Sequence, residues 1–369
     1  MDFRKLNLIT GWGVFLVATI VYVLTIEPTT SFWDTGEFIT TAYKLEIGHP
    51  PGAPLFMLLA RLFSMFDSTE TVPVAVNELS AVSSRLTILF LFWTITHFGR
   101  KMALKGDDAN NNGKIIATMA AGVVGALAYT FSDSFWFSAV EGEVYAMSSL
   151  FTAAVFWAIL RWESLSNGKN EMRWIIAIAY LMGLSIGVHL LNLLAIPAIC
   201  FVVFFKRNKP STRGLVITSL VSLVILGIIQ SGIIPGVVSL AGKFELFFTN
   251  SLGMPFNTGV IIYALIGIGA LTYGLYYTHK KNKPIWNTAI LSVVVIILGY
   301  STFATIVIRS SANPPLDENN PENVFTLLAY LNREQYGDRP LLYGHFFNSP
   351  TDMQNPRGDG KPVYAPVES

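Results

Sequence analysis

The chain has 369 residues, 52% of them hydrophobic and only 13% charged, with 26 Phe and 8 Trp. A soluble domain carries roughly a quarter charged residues, so this chain lacks the charge to cover a water-facing surface of its size and reads as an all-α polytopic membrane protein. The net charge of +1 gives no electrostatic reason to expect nucleic acid, and the lone Cys200 excludes a disulfide within the chain.

In chain order, Arg4 and Lys5 precede an apolar run at 8–26. Small residues suited to cleavage are missing before Glu27-Pro28, which makes the run an uncleaved first span. Runs near twenty apolar residues predict nine spans, at 9–26, 80–98, 115–132, 143–160, 174–189, 191–205, 214–234, 259–278 and 286–308. The stretch 174–205 is too long for one untilted crossing and holds His189 and Asn192 at its middle, so it is divided into two short spans around a turn. The apolar piece 54–66 is too short to cross and is interrupted by Arg61. It is expected to lie along the outer interface, with Pro54 in its first turn.

Loop charge supports this division. With the N-terminus cytoplasmic, sixteen Lys and Arg fall on the inner side, in segments 1–8, 99–114, 161–173, 206–213 and 279–285, whereas only Lys44, Arg61 and Lys243 fall outside before the tail. A single span at 174–205 would put the cluster at 206–213 outside. In the span 115–132, Ala117, Ala121 and Gly125 recur every fourth residue and predict a close helix contact. A polar loop, GDDANNNG, occupies 106–113. From 309 the chain turns rich in Pro and Asn, and Val324, Leu327, Leu328 and Leu331 keep helical spacing after Asn320-Pro321, read as cap and first turn. Residues 1–308 are thus expected to form the membrane domain, and 309–369 the start of an outer soluble region that continues in a longer protein.

Five polar features land on the predicted outer face: WDTGEF (33–38), GHPPGAP (48–54), EGEVY (141–145), GVHLLN (187–192), and Arg309 with SSANPP. Asp34 and Glu37 share a face on a helical turn and could act as general base or metal ligands. They also fit two solvated loop acids, or an acid favouring a helix dipole. His49, held by Pro50 and Pro51, belongs either to a site beside those acids or to a rigid turn. Glu141 and Glu143, with Tyr145, form a second acidic motif or a helix start. His189 and Asn192 are polar groups at a turn near lipid, and either functional or simply satisfied there. Arg309 and Arg85 could snorkel to headgroups, but a guanidinium facing an outer cavity suits a phosphate. The chain holds no Walker loop, dinucleotide fingerprint, HExxH or GxSxG.

Taken in order, WDTGEF, GHPPGAP, EGEVY and GVHLLN resemble the motif series of the GT-C membrane glycosyltransferases, and within them the protein O-mannosyltransferase-like family in its bacterial, Bacteroidetes-type form. The stretch IRSSANPPLDENNPENV at 308–324 strengthens the resemblance, which covers roughly 8–345. It implies a helix bundle with a long first outer loop carrying an interfacial helix and the catalytic acid. It also implies a polyprenyl-phosphate-linked, mannose-like sugar as donor and a protein Ser/Thr hydroxyl as acceptor, on the periplasmic side of a bacterial inner membrane. Carried onto this chain, the acid is Asp34, with Glu37 as its neighbour. Arg309, His189, His49, Asn192 and Arg85 are expected toward the donor phosphate, and Asp34, Glu37, Glu141 and Glu143 could hold a divalent metal. The expected partners are the lipid-linked sugar, an acceptor protein or peptide, and membrane lipid. The alternative from another class is a transporter or flippase of a lipid-linked anionic substrate, which would favour mid-membrane charges and repeats. A noncatalytic anchor is a third.

Overall fold

The computed structural model of the protein describes residues 1–106, 110–165 and 169–337. Part of the polar loop at 106–113 and the tail beyond 337 lie outside the described residues. Among the described residues there is no strand, only a parallel bridge between Ile47 and Asp317.

The first helix, α1 (Phe3–Leu24), is capped by Asp2, whose carboxylate accepts from the backbone N–H groups of Arg4 and Lys5. The connection that follows carries two short helices, α2 (Thr35–Lys44) and α3 (Pro54–Phe63), the latter starting on Pro54. Next come α4 (Val72–Ala103), α5 (Asn112–Thr130), the short α6 (Asp133–Val140) and α7 (Val144–Glu163). Then α8 (Lys169–Ile186) ends at a break, and a 3-10 turn (Leu190–Leu194) leads into α9 (Ala195–Arg207). The helices α10 (Thr212–Gly227) and α11 (Ile234–Leu246) are joined by a π-helical turn. The chain continues through α12 (Thr258–Lys280), α13 (Pro284–Tyr300), α14 (Ala304–Ser310) and α15 (Val324–Leu331).

Eight helical stretches among the described residues are long and apolar enough to cross a membrane. Helices satisfy their own backbone polar groups, the requirement a bilayer core imposes. In α12 only 6% of the apolar window is buried within the protein, so its greasy surface is left for lipid. The fold is therefore that of an all-α polytopic membrane protein. The ninth predicted span corresponds to α8, which is apolar along its second half but carries charged residues at 169, 171 and 173. It packs against α13 more extensively than any other pair of helices does. The two backbones touch there: a Cβ on Gly183 would sit 2.5 Å from the Ile296 carbonyl oxygen, and one on Gly299 2.5 Å from the Gly183 carbonyl carbon.

The break predicted between 189 and 191 is present, while other boundaries move. The predicted span 214–234 is part of a single helical stretch, Thr212–Ser251, of 40 residues, because Pro235 enters at the start of α11 behind the π turn instead of ending the helix. Lys243, expected in a loop, is thus helical. The stripe Ala117, Ala121 and Gly125 is not the packed one, since both alanines are exposed. The buried face of α5 runs through Thr118, Gly122, Ala126 and Thr130, one residue along, where Gly122 accommodates Phe92 and Thr96 of α4. The last helix begins after Asn323 rather than Asn320-Pro321, because the Asn323 carboxamide accepts from Phe325 and Thr326 in a capping box.

Three helices define two ends of the bundle. At one end, α4 contributes Asn77 and Ser80, α7 starts at Val144, and α1 hands over to Glu27, whose carbonyl accepts from Asn77. At the other lie Arg4, Arg100 and Glu163, the last within ion-pair distance of Lys101. On α4 the two ends are ~35 Å apart at 1.5 Å per residue, close to the bilayer's hydrocarbon thickness.

Candidate functional site

Four of the five predicted polar features, and the start of the fifth, gather at the first of these ends. The core of the site is the turn into α2. Trp33 takes a left-handed backbone conformation (φ 63°) and is 87% exposed, a strained geometry for a large side chain. Asp34 is the residue capping α2, yet its side chain makes no capping bond. Its carboxylate instead faces His49, with Oδ2 4.0 Å from Nε2. One turn on, Glu37 Oε1 accepts from both the backbone N–H of His49 (2.6 Å) and His49 Nδ1 (3.0 Å). This double grip needs Gly48, because a Cβ there would collide with the Glu37 carboxylate. The His49 ring also meets Phe38 edge-on at 5.6 Å.

Charge follows this geometry. Burial raises the pKa of Glu37, but the bonds from His49 outweigh it and hold the carboxyl below its usual range. His49 is raised, chiefly by its hydrogen bond to Glu37 and against desolvation, with Asp34 and Glu318 adding to the effect. Both shifts favour the ionised form of the Glu37–His49 pair, and a second, more exposed carboxylate, that of Asp34, lies beside it. Among the described residues, Asp34, Glu37 and His49 are a group that can hold a metal ion, their ligand atoms lying within 4.8 Å of one another. This N/O donor set suits a first-row divalent ion. Glu141 and Glu143, expected from the sequence as further ligands, are not in this group, and Glu141 Oε2 accepts from Ser31 Oγ at 2.5 Å.

The second acidic motif is buried behind this group. Glu141 and Glu143 are each 5% exposed. Glu143 is pushed up to about 7 by burial, then by Glu141 and by Asp34. It senses Asp34 and so belongs to the same electrostatic unit. Tyr145 is half exposed, and its ring lies 5.4 Å from that of His189. Burial, followed by Arg333, lowers the pKa of His189, so this ring is disfavoured as a cation. Its Nδ1 accepts from the Leu191 backbone. Asn192 is fully buried and donates to Ser185 Oγ at 2.8 Å, so it clamps the 3-10 turn to α8 instead of reaching the acids.

Arg309 reaches the site through backbone. Its Nε donates to the Leu45 carbonyl at 2.7 Å and Nη2 to that of Lys44 at 3.4 Å, closing the end of α2. It lines a mostly apolar cavity of about 200 Å³ together with Glu37, His49, Met57, Leu58 and Ile306. Arg85 is elsewhere: it pairs with Glu78 at 2.9 Å, two turns down α4 from Asn77.

Two contributors carried no motif signal. Asn77 donates to the carbonyls of Glu27 (2.7 Å) and Thr29 (3.1 Å), pinning the chain that enters WDTGEF. Tyr330 of α15 donates from its hydroxyl to the carbonyls of Gly48 (2.6 Å) and His49 (3.2 Å). A lone Asn in an apolar helix was the available hint for the first. The second had none, since its partner is 282 residues away.

Fold and site together define a polytopic membrane protein with an acid–histidine cluster at one end of its bundle. Residues 34–212 match the family model described as Protein O-mannosyl-transferase TMEM260 N-terminal domain. The chain is 26% identical over 228 residues to the protein O-mannosyl-transferase tmem260 of Dictyostelium discoideum, covering 58% of this chain and 26% of that one. It is 26% identical over 207 residues to TMEM260 of Mus musculus, covering 56% and 27%. The chain thus spans about a quarter of the length of these curated relatives. No solved structure matches. The matched segment begins at Asp34 and contains Glu37, His49, Glu141, Glu143 and His189, whereas Arg309 and Tyr330 lie beyond it.

Proposed function

We propose that the chain is a membrane glycosyltransferase of GT-C type that moves a mannose-like sugar from a polyprenyl-phosphate lipid to a Ser or Thr hydroxyl of a protein, on the non-cytoplasmic face. The observation that carries this reading is the Asp34–Glu37–His49 cluster, which lies inside the segment resembling O-mannosyl-transferases. Asp34, more than half exposed and free of capping duty, accepts the acceptor hydroxyl's proton. The hydroxyl oxygen bonds to the sugar's anomeric carbon, and the bond from that carbon to the phosphate oxygen breaks, its electron pair leaving with the phosphate. Glu37 and His49 fix the loop and place a positive charge beside the reacting carboxylate. Alternatively, with His49 neutral, Asp34, Glu37 and His49 would hold a divalent metal in place of that proton, which would supply Lewis-acid chemistry toward the phosphate. Arg309 lines the same mostly apolar cavity as Glu37 and His49; its unused N–H donors suit the leaving phosphate and the apolar wall suits the first carbons of the lipid.

The gathering of the polar groups at one end favours this over a transporter. The test is transfer from a defined polyprenyl-phosphate mannose to Ser/Thr peptides by the purified chain. Asp34→Asn is expected to lower turnover about 100-fold or more, the usual worth of a positioned base, with donor binding retained. Near-normal turnover in a folded Asp34→Asn variant refutes the assignment and moves the search to Glu143.

A further inference from the structure

The opposite end of the bundle holds the larger cavity, about 970 Å³, between α1, α4 and α7. Its walls carry five Lys or Arg side chains, Arg4, Arg100, Lys101, Lys105 and Arg161, against a single carboxylate, Glu163. That carboxylate is already held: Lys101 Nζ donates to its Oε1 at 2.5 Å, and His97 Nε2 stands 3.5 Å from its Oε2 without forming a hydrogen bond. Among the described residues no carboxylate pairs with the four remaining cations. Two of them are braced by aromatic faces, Arg100 over Phe3 (5.0 Å) and Arg161 over Trp157 (5.9 Å), which fixes the guanidinium groups while leaving their N–H forks open. The upper wall is apolar, from Leu8, Trp93 and Trp157.

Basic residues collect at a cytoplasmic membrane face by default. That rule does not explain why they line a cavity with uncompensated charge between three helices. All five cations are exposed to solvent, so water screens their mutual repulsion; an anion entering the space they surround relieves what remains of it, and oriented guanidinium forks suit a phosphate better than a simple halide. We propose that this cavity binds a phosphate-bearing anion, with the headgroup of an anionic phospholipid as the source favoured by its place at the bundle's end and its apolar upper wall.

The experiment is thermal unfolding of the purified full chain in neutral detergent, titrated separately with short-chain phosphatidylglycerol, phosphatidylcholine of equal chain length, and inorganic phosphate. Phosphatidylglycerol is expected to stabilise saturably and phosphatidylcholine not. Arg100→Gln and Arg161→Gln are each expected to weaken apparent affinity about tenfold or more, the scale of a lost hydrogen bond to a charged group. Glu163→Gln is expected to tighten it, an opposite sign that misfolding would not produce. Stabilisation by phosphate alone with the same variant pattern assigns the site to a soluble phosphoryl ligand. Equal stabilisation by both lipids, or variants titrating like the wild type, overturns the proposal. Asp34→Asn is expected to titrate unchanged, so this result stands or falls apart from the transferase reading.

Discussion

At the residue scale, the Glu37–His49 pair sets a pH window. Glu37 has a folded-state pKa below its usual 4.5, so its contribution to stability is present above that value and lost as pH falls through the lowered one. His49 is raised above 6.5, so its contribution is present below 6.5 and lost as pH rises through the folded value. Both are in force between 4.5 and 6.5. The difference in melting temperature between the wild type and His49→Gln is therefore expected to be greatest in that window and to shrink above neutrality. A difference that is flat from acid to alkaline pH would show that the pair is not ionised. Glu143 runs the other way, because a buried acid raised to about 7 favours the folded state less as pH climbs toward that value. Arg309 offers a separate check. Lysine keeps the charge but not the two-pronged fork that closes α2, so Arg309→Lys is expected to raise the KM for lipid donor about tenfold, in line with a lost charge-assisted hydrogen bond, with a smaller effect on kcat. An unchanged KM removes Arg309 from the donor site.

At the scale of elements, close contacts decide which helix faces matter. The packed side of α5 is Thr118, Gly122, Ala126 and Thr130, while Ala121 faces outward. A leucine at Gly122 would have to displace Phe92 and Thr96, a cost of about 1–3 kcal/mol for overpacking, whereas a leucine at Ala121 meets lipid. Gly122→Leu is expected to lower the melting temperature of detergent-purified protein and Ala121→Leu to leave it within error. Equal behaviour of the two would contradict the register of α5 on α4. Spacing by four identified a small-residue stripe but not the right one, since small residues occur on both adjacent faces and only the neighbouring helix selects between them.

For the whole molecule, the loop charge imbalance predicts which end faces the cytoplasm. In a Cys200→Ser background, a cysteine at exposed Thr30, beside the candidate site, is expected to react with an impermeant thiol reagent in intact cells. One at exposed Asn208, between α9 and α10, is expected to react only after permeabilisation. Labelling of Asn208→Cys from outside would invert the topology and place the Asp34 cluster in the cytoplasm. The two ends of the bundle then have distinct chemistry: acids and a histidine over an apolar cavity at one, and basic side chains around a larger cavity at the other.

Hydrophobic run lengths, read along the chain, were enough to predict an all-α membrane protein, the interruption near His189, and one short non-crossing helix, at 54–66, in the first connection. These follow from local composition and the length a bilayer requires. Motif order likewise brought Asp34, Glu37, His49, Glu141 and Glu143 into one candidate site, because short loops at the ends of neighbouring spans have few places to go. The tertiary structure alone decided how those groups divide: His49 on Glu37, Ser31 on Glu141, Asn192 turned away to Ser185, and Arg85 matched to Glu78. It also brought in Asn77 and Tyr330, and it extended the predicted span 214–234 into one 40-residue helical stretch. The reason is physical. Hydropathy and spacing report what a segment needs from its solvent, while a hydrogen-bond partner is settled by which backbones pack closely enough to bring distant residues within 3 Å or so.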